Sequence, residues 1–247
     1  MKQFEEIKKE ILERAHNARA CTIQYKRAYQ SENLETLCNV IKDNFWWCCR
    51  NNVLDGELID KYKKIFSDNK IYHNVSIKSG FLLASGNSTV QASGNSTVEA
   101  SGNSTVEASG NSTVKAYGNS TVQAYGNSTV KAYGNSTVQA YGNSTVKAFG
   151  NSTVKAYDNS TVKAYGNSTV KAFGNSTVKA YGNSTVEASG NSTVQAYGNS
   201  TVEAYDNSYI NCRSTIECVL KDNSIVRKWD TNTIQYVSDN LKFEKKY

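Results

Sequence analysis

The sequence predicts a mainly β fold. We expect a right-handed parallel β-solenoid with two faces and two eight-residue units per 16-residue coil, preceded by a small N-terminal α-helical domain. Three observations carry this expectation. An eight-residue unit, A-(Y/F/S)-(G/D)-N-S-T-V-x, runs fifteen times through residues 84–205. Its Val and Ala positions never vary, while its x position holds seven Lys, four Glu and four Gln. Proline is absent from all 247 residues, which suits a backbone whose N–H groups are committed to ladders.

Strand side chains alternate between faces. With S-T-V-x-A-Y as strand and G-N as turn, the charged x position faces water. Parity then sends Thr and the aromatic position outward, and Ser, Val and Ala inward. The turn position is Gly except at Asp158 and Asp206. Aspartate is one of the few residues besides Gly that tolerates a positive φ, so a left-handed turn residue is expected there. An antiparallel meander fails on parity. Its two-residue turns set x of one strand opposite Val of the next, and opposed residues share a face. Parallel stacking instead puts Val over Val and Ala over Ala. The crossover rule then predicts a right-handed coil, and the turn asparagines are expected to stack as a ladder.

The x positions choose between two units per coil and three. At 16-residue spacing one face carries Lys115, Lys131, Lys147, Lys163 and Lys179 in succession. The other carries Gln123, Gln139, Lys155, Lys171 and Glu187. That segregation favours two, and about ten coils at ~4.8 Å make a rod of ~50 Å.

Residues 1–72 read as a helical head of about three helices. Phe4, Ile7, Ile11, Ala18, Cys21, Tyr25 and Ala28 form one apolar stripe, interrupted by Arg14. A second helix is expected to start near Ser31 to Asn33 and to carry Leu34, Leu37, Val40, Ile41 and Phe45. A third carries Leu58, Ile59, Tyr62 and Ile65. Trp46 and Trp47 are candidates for a head interface. Residues 73–236 form the solenoid. "HNVSIKSGFLLA" is its first degenerate turn, and decayed units from residue 206 cap the other end. Residues 237–247 form a charged tail.

The units "AYGNSTVKAYGNSTV", with the "GFLLA" entry after a helical start, resemble uncharacterised octapeptide-repeat β-solenoid proteins of gut bacteria and their phages. The resemblance covers residues 74–236. It implies architecture and no activity.

No phosphate loop, zinc spacing or dinucleotide fingerprint is present. The Ser and Thr of the units have no His within the repeat, and the two histidines, His16 and His73, lie outside it. We therefore expect no enzyme activity, no metal and no cofactor. The six cysteines form no CxxC pattern, and Cys212 and Cys218 are placed in alanine positions, facing inward. The N-terminus, "MKQFEEIKKE", lacks the apolar region of a signal peptide, which gives the expectation of a cytoplasmic protein without a membrane partner. With a net charge of +6, an anionic partner is permitted. The candidate polyanion-binding residues are Lys115, Lys131, Lys147, Lys163 and Lys179. Beside them runs a candidate aromatic strip of Tyr117, Tyr133, Phe149, Tyr165 and Tyr181. The expected function is a structural or interaction scaffold that engages a protein partner or a second copy through the head or the solenoid ends. Binding of nucleic acid or another polyanion is the alternative.

Overall fold

The computed structural model describes residues 2–213 and 215–237. It is a parallel β-solenoid of about nine turns with 16-residue spacing, preceded by six helices. The strands are β1 (Ile71–His73), β2 (Ile77–Ala84) and β3 (Thr89–Ala100), then β4 (Thr105–Ala108) to β16 (Thr201–Ala204), one every eight residues. The rod ends in β17 (Tyr209–Cys212), β18 (Cys218–Leu220), β19 (Ile225–Lys228) and β20 (Thr233–Tyr236). The charged tail, apart from Val237, lies outside the described residues.

Within the repeat, each strand pairs in register with the strand two units on. Thr meets Thr, Val meets Val and Ala meets Ala at every step, for example from Thr145–Ala148 to Thr161–Ala164. Regular strands cover only the four residues T-V-x-A. The ladder nevertheless continues through the corners, because Tyr165 N donates to Ala148 O and Asn167 N to Gly150 O. Parity holds as expected. The Val, Ala and Ser positions of the central coils are fully buried. In most coils serine is tolerated inside because its hydroxyl has a fixed partner, as where Ser152 Oγ donates to Phe149 O at 2.7 Å and closes the corner, whereas Ser88 Oγ and Ser160 Oγ are buried without one. At the turn, Asp158 and Asp206 have φ of 57° and 55°. A side chain at Gly134 would also put its Cβ 3.2 Å from Gly118 O in the coil before. Asparagines form the expected ladder, as in Asn119 Nδ2 to Asn103 Oδ1 at 3.3 Å.

The head holds six short helices rather than three: α1 (Lys2–Asn17), α2 (Thr22–Tyr29), α3 (Leu34–Asp43), α4 (Phe45–Arg50), α5 (Gly56–Lys61) and α6 (Lys63–Asp68). Each expected helix is broken once. Arg19 turns left-handed at φ 56°, and Ala20 N donates back to Ala15 O, which ends α1 in a C-terminal cap. Asn44 Nδ2 takes the carbonyl of Val40 and separates α3 from α4. Tyr62 leaves helical geometry between α5 and α6. Asn33 caps α3 through a reciprocal box with Thr36. The head core contains Ile71 and Leu83 of the first coil, and Phe45 meets Phe81 edge-on at 5.2 Å. The helices thus pack against the outer side of the first coils, where Phe81 and Leu83 stand in register with the outward Thr97 and Glu99. No helix among the described residues is long and apolar enough to cross a membrane.

The far end departs from expectation. The decayed unit "TNTIQY" does not add another parallel coil. β20 turns back through Asn232, at φ 53°, and pairs antiparallel with β19. That hairpin covers one exposed strand edge.

Candidate functional site: the lysine and aromatic face

The face that begins at residues 97–100 of β3 presents three outward ladders: threonine, the x position and the aromatic position. Its x ladder runs Glu99, Lys115, Lys131, Lys147, Lys163, Lys179 and Gln195. All five candidate lysines therefore stack on one face. Two residues further along each strand the rings stack too. Tyr117, Tyr133, Phe149, Tyr165, Tyr181 and Tyr197 lie 4.8 to 5.0 Å apart, within 8° of parallel. Tyr197 extends the expected strip by one ring.

The opposite face differs in its charge. Its x ladder mixes Lys155 and Lys171 with Glu107, Glu187 and Glu203, and several of its polar groups pair with one another. Lys171 pairs with Glu187, while the Tyr125 and Tyr141 hydroxyls donate to Gln123 and Gln139. Among the described residues, no acid pairs with Lys131, Lys147, Lys163 or Lys179.

The head occupies the start of the lysine face. Lys115 Nζ lies 4.3 Å from the centre of the Trp46 ring, and the Arg50 guanidinium lies 5.0 Å above Tyr117. Trp46, one of the two candidate head-interface residues, thus contacts the chain's own rod. Lys115 is the lysine of the row that the head engages, and Lys131 to Lys179 lie beyond it, half-exposed like Lys115. Trp47 instead walls an apolar cavity of about 270 Å³ between the helices, with Ile11, Ala28, Val40 and Ile41. Under the head, Glu99 is only 3% exposed. Burial pushes its carboxyl up to about 8, against the opposing pull of Lys115 and Arg50.

A second constellation escaped sequence reading because its members come from separate elements. His73 Nδ1 lies 2.9 Å from Asp60 Oδ2 of α5, and its Nε2 lies 2.9 Å from Ser85 Oγ. The connectivity is that of a nucleophile, a base and an orienting carboxylate. The surroundings favour a clamp. The backbone N–H of Ser85, the usual donor to an oxyanion, is engaged by Asn74 Oδ1. A Cβ on Gly56 would come within 2.3 Å of the His73 ring, so the imidazole is packed against the head. His73 therefore ties α5 to the first coil. His16 is exposed, with Tyr25 edge-on at 6.3 Å. Among the described residues, no three His, Cys, Asp or Glu side chains converge as a metal site.

Comparison of the chain with family models, with curated proteins and with solved structures returns no match.

Proposed function

We propose that this chain is a non-enzymatic interaction scaffold of the cytoplasm. It is a stiff rod that displays one surface pattern at each coil, anchored by a helical head and open to self-association or a protein partner at the far end. One observation carries this reading: in-register stacking repeats the same side chain at the same place from coil to coil. Such a surface is suited to an elongated or repeated partner rather than to one small substrate. The far end supports the second part. β20 covers β19, whereas β18 pairs only with β16 among the described strands, and Val219 on it is exposed. An uncovered strand edge is a template for another chain. Light scattering of the full chain over a wide concentration range tests this, with a rising mean mass expected. A strict monomer at every concentration refutes self-association.

The contrast between the two faces favours a second reading, binding of nucleic acid or another polyanion along Lys131 to Lys179. Four unpaired cations beside a continuous aromatic strip match the requirements of such a ligand. Electrophoretic retardation of single-stranded nucleic acid at about 50 mM salt is the test. The shift is expected to disappear when Lys115, Lys131, Lys147, Lys163 and Lys179 are all changed to Gln. No shift for the unmodified chain refutes this reading.

A further inference from the structure

Where the repeat decays, three side chains leave its pattern together. Cys212 stands in an alanine position of β17, and Lys228 lies directly above it in β19. Cys218 pairs with Val202 and so occupies a valine position, which corrects its expected place in an alanine position. The two cysteines approach across the narrow interior from opposite faces, with Sγ atoms 3.3 Å apart. Lys228 is 6% exposed, although a lysine is rarely buried without partners. Its Nζ donates to Ile216 O at 2.6 Å and to Arg213 O at 3.4 Å, and lies 3.7 Å from Cys218 Sγ.

Filling of the core does not require this combination, since Val and Ala fill it in every regular coil. The chemistry of the pair is also distinct from that of the head cysteines. Burial pushes Cys38 up to about 11 and Cys48 up to about 12, making both poor nucleophiles. The hydrogen bond from Cys218 instead draws Cys212 down to about 7, opposed by burial and aided by Lys228. Cys218, which keeps the shared proton, moves up. Cys218 is half-buried and within reach of solvent, while Cys212 is fully buried behind it. A reachable sulfur with a second sulfur behind it is the arrangement of an attacking and a resolving cysteine.

We propose that Cys212 and Cys218 form a dithiol–disulfide exchange site for small disulfides of the glutathione type. The shared proton first crosses the S···S contact from Cys218 to the Cys212 thiolate, and the Cys218 thiolate so formed, beside Lys228 Nζ, attacks one sulfur of the external disulfide. The external S–S bond breaks, and the departing thiolate takes up a proton from solvent. Cys212 Sγ then attacks Cys218 Sγ, breaks the mixed disulfide and releases the second thiolate, which takes up the proton of Cys212. Two electrons pass from the cysteine pair to the external disulfide, which leaves as two thiols, one proton coming from the pair and one from solvent. Closing the bond to ~2.05 Å requires the sulfurs to approach by only about 1.2 Å. The product staples β18, the uncovered edge strand, to β17.

The test equilibrates the full chain with excess oxidised glutathione, traps remaining thiols by alkylation, and maps peptides by mass without reduction. The expected result is a Cys212–Cys218 cross-linked peptide lighter by about 2 Da, the two thiol hydrogens. Cys38 and Cys48 should become alkylated only after denaturation. With Cys212→Ser the reaction is expected to stop at a stable glutathione adduct on Cys218. Recovery of both cysteines as free thiols in the unmodified chain overturns the proposal. So does accumulation of a mixed disulfide on Cys218 when Cys212 is present.

Discussion

Replacing Lys147 by Gln removes the middle rung of the lysine ladder. Lys131 and Lys163 are its in-register neighbours, so the change relieves two like-charge contacts. The separation can be taken from the adjacent rings: Phe149 lies 5.0 Å from Tyr133 and 5.0 Å from Tyr165. Two unit charges 5 Å apart in water repel by about 0.8 kcal/mol, and screening at physiological ionic strength roughly halves that. Two neighbours therefore cost about 0.8 kcal/mol at physiological salt, and roughly 1.4 kcal/mol near 10 mM salt, before the flexible side chains splay apart. Gln is already native at equivalent positions such as Gln123 and Gln139, so it suits the ladder. We expect Lys147→Gln to raise stability in urea denaturation by up to this amount, more at low salt than at high. Lys155 is the control. Its neighbours are Gln139 and Lys171, and Lys171 is already paired with Glu187. Lys155→Gln should gain less than half as much. The reasoning is refuted if Lys147→Gln destabilises, if its effect ignores salt, or if both variants respond equally.

Glu99 predicts a pH dependence. Its proton is held to about pH 8 in the folded chain and to about 4.5 when unfolded. Between those values the folded chain binds the extra proton, so stability falls as pH rises through the window. Glu99→Gln should flatten this part of the profile in denaturation curves taken from pH 5 to 8. Asp158→Ala places a Cβ without a compensating side chain at φ 57° and loses the 3.0 Å hydrogen bond from Gly142 N. It should cost about 2 kcal/mol in chemical denaturation, while Asp158→Gly, which relieves the backbone, should cost about half that. Val146→Ala opens a void in an interior where Val146 is fully buried, and should cost about 2 to 3 kcal/mol by the same assay.

Much of the rod was legible because stacking is periodic. Once Val and Ala are invariant and x is charged, parity assigns every position. The x positions at 115, 131, 147, 163 and 179 then reveal the 16-residue coil. The head was less legible. Its apolar stripe ignores Arg19 and Asn44, whose local hydrogen bonding ends helices that periodicity alone would continue. The contacts of Trp46 with Lys115 and of Arg50 with Tyr117 join residues more than sixty positions apart, and no spacing rule reaches that far. The same holds for Asp60, His73 and Ser85. At the far end the register itself slips. Cys218 lies six residues after Cys212, so counting by small residues put it in the wrong slot, and only the pairing with Val202 corrects it. The reversal of β20 depends on one left-handed Asn232, which composition does not announce.

In-register stacking sets each side chain against a copy of itself, so a slot is stable only if its occupant is compatible with its own kind. Valine, alanine, the flat rings and the asparagine amides all meet this condition. Lysine does not, and on the opposite face the mixture of Lys, Glu and Gln limits such contacts to Lys155 over Lys171 and Glu187 over Glu203. The row from Lys115 to Lys179 is therefore the longest run of stacked like charge among the described strands, and it works against the fold. A polyanion laid along it would remove the repulsion that Lys147→Gln removes. The two effects should accordingly be less than additive. Adding single-stranded nucleic acid should raise the melting temperature of the unmodified chain more than that of Lys147→Gln, and the difference should shrink as salt rises. Equal shifts for the two chains would separate ligand binding from the ladder and place the contact elsewhere on the rod.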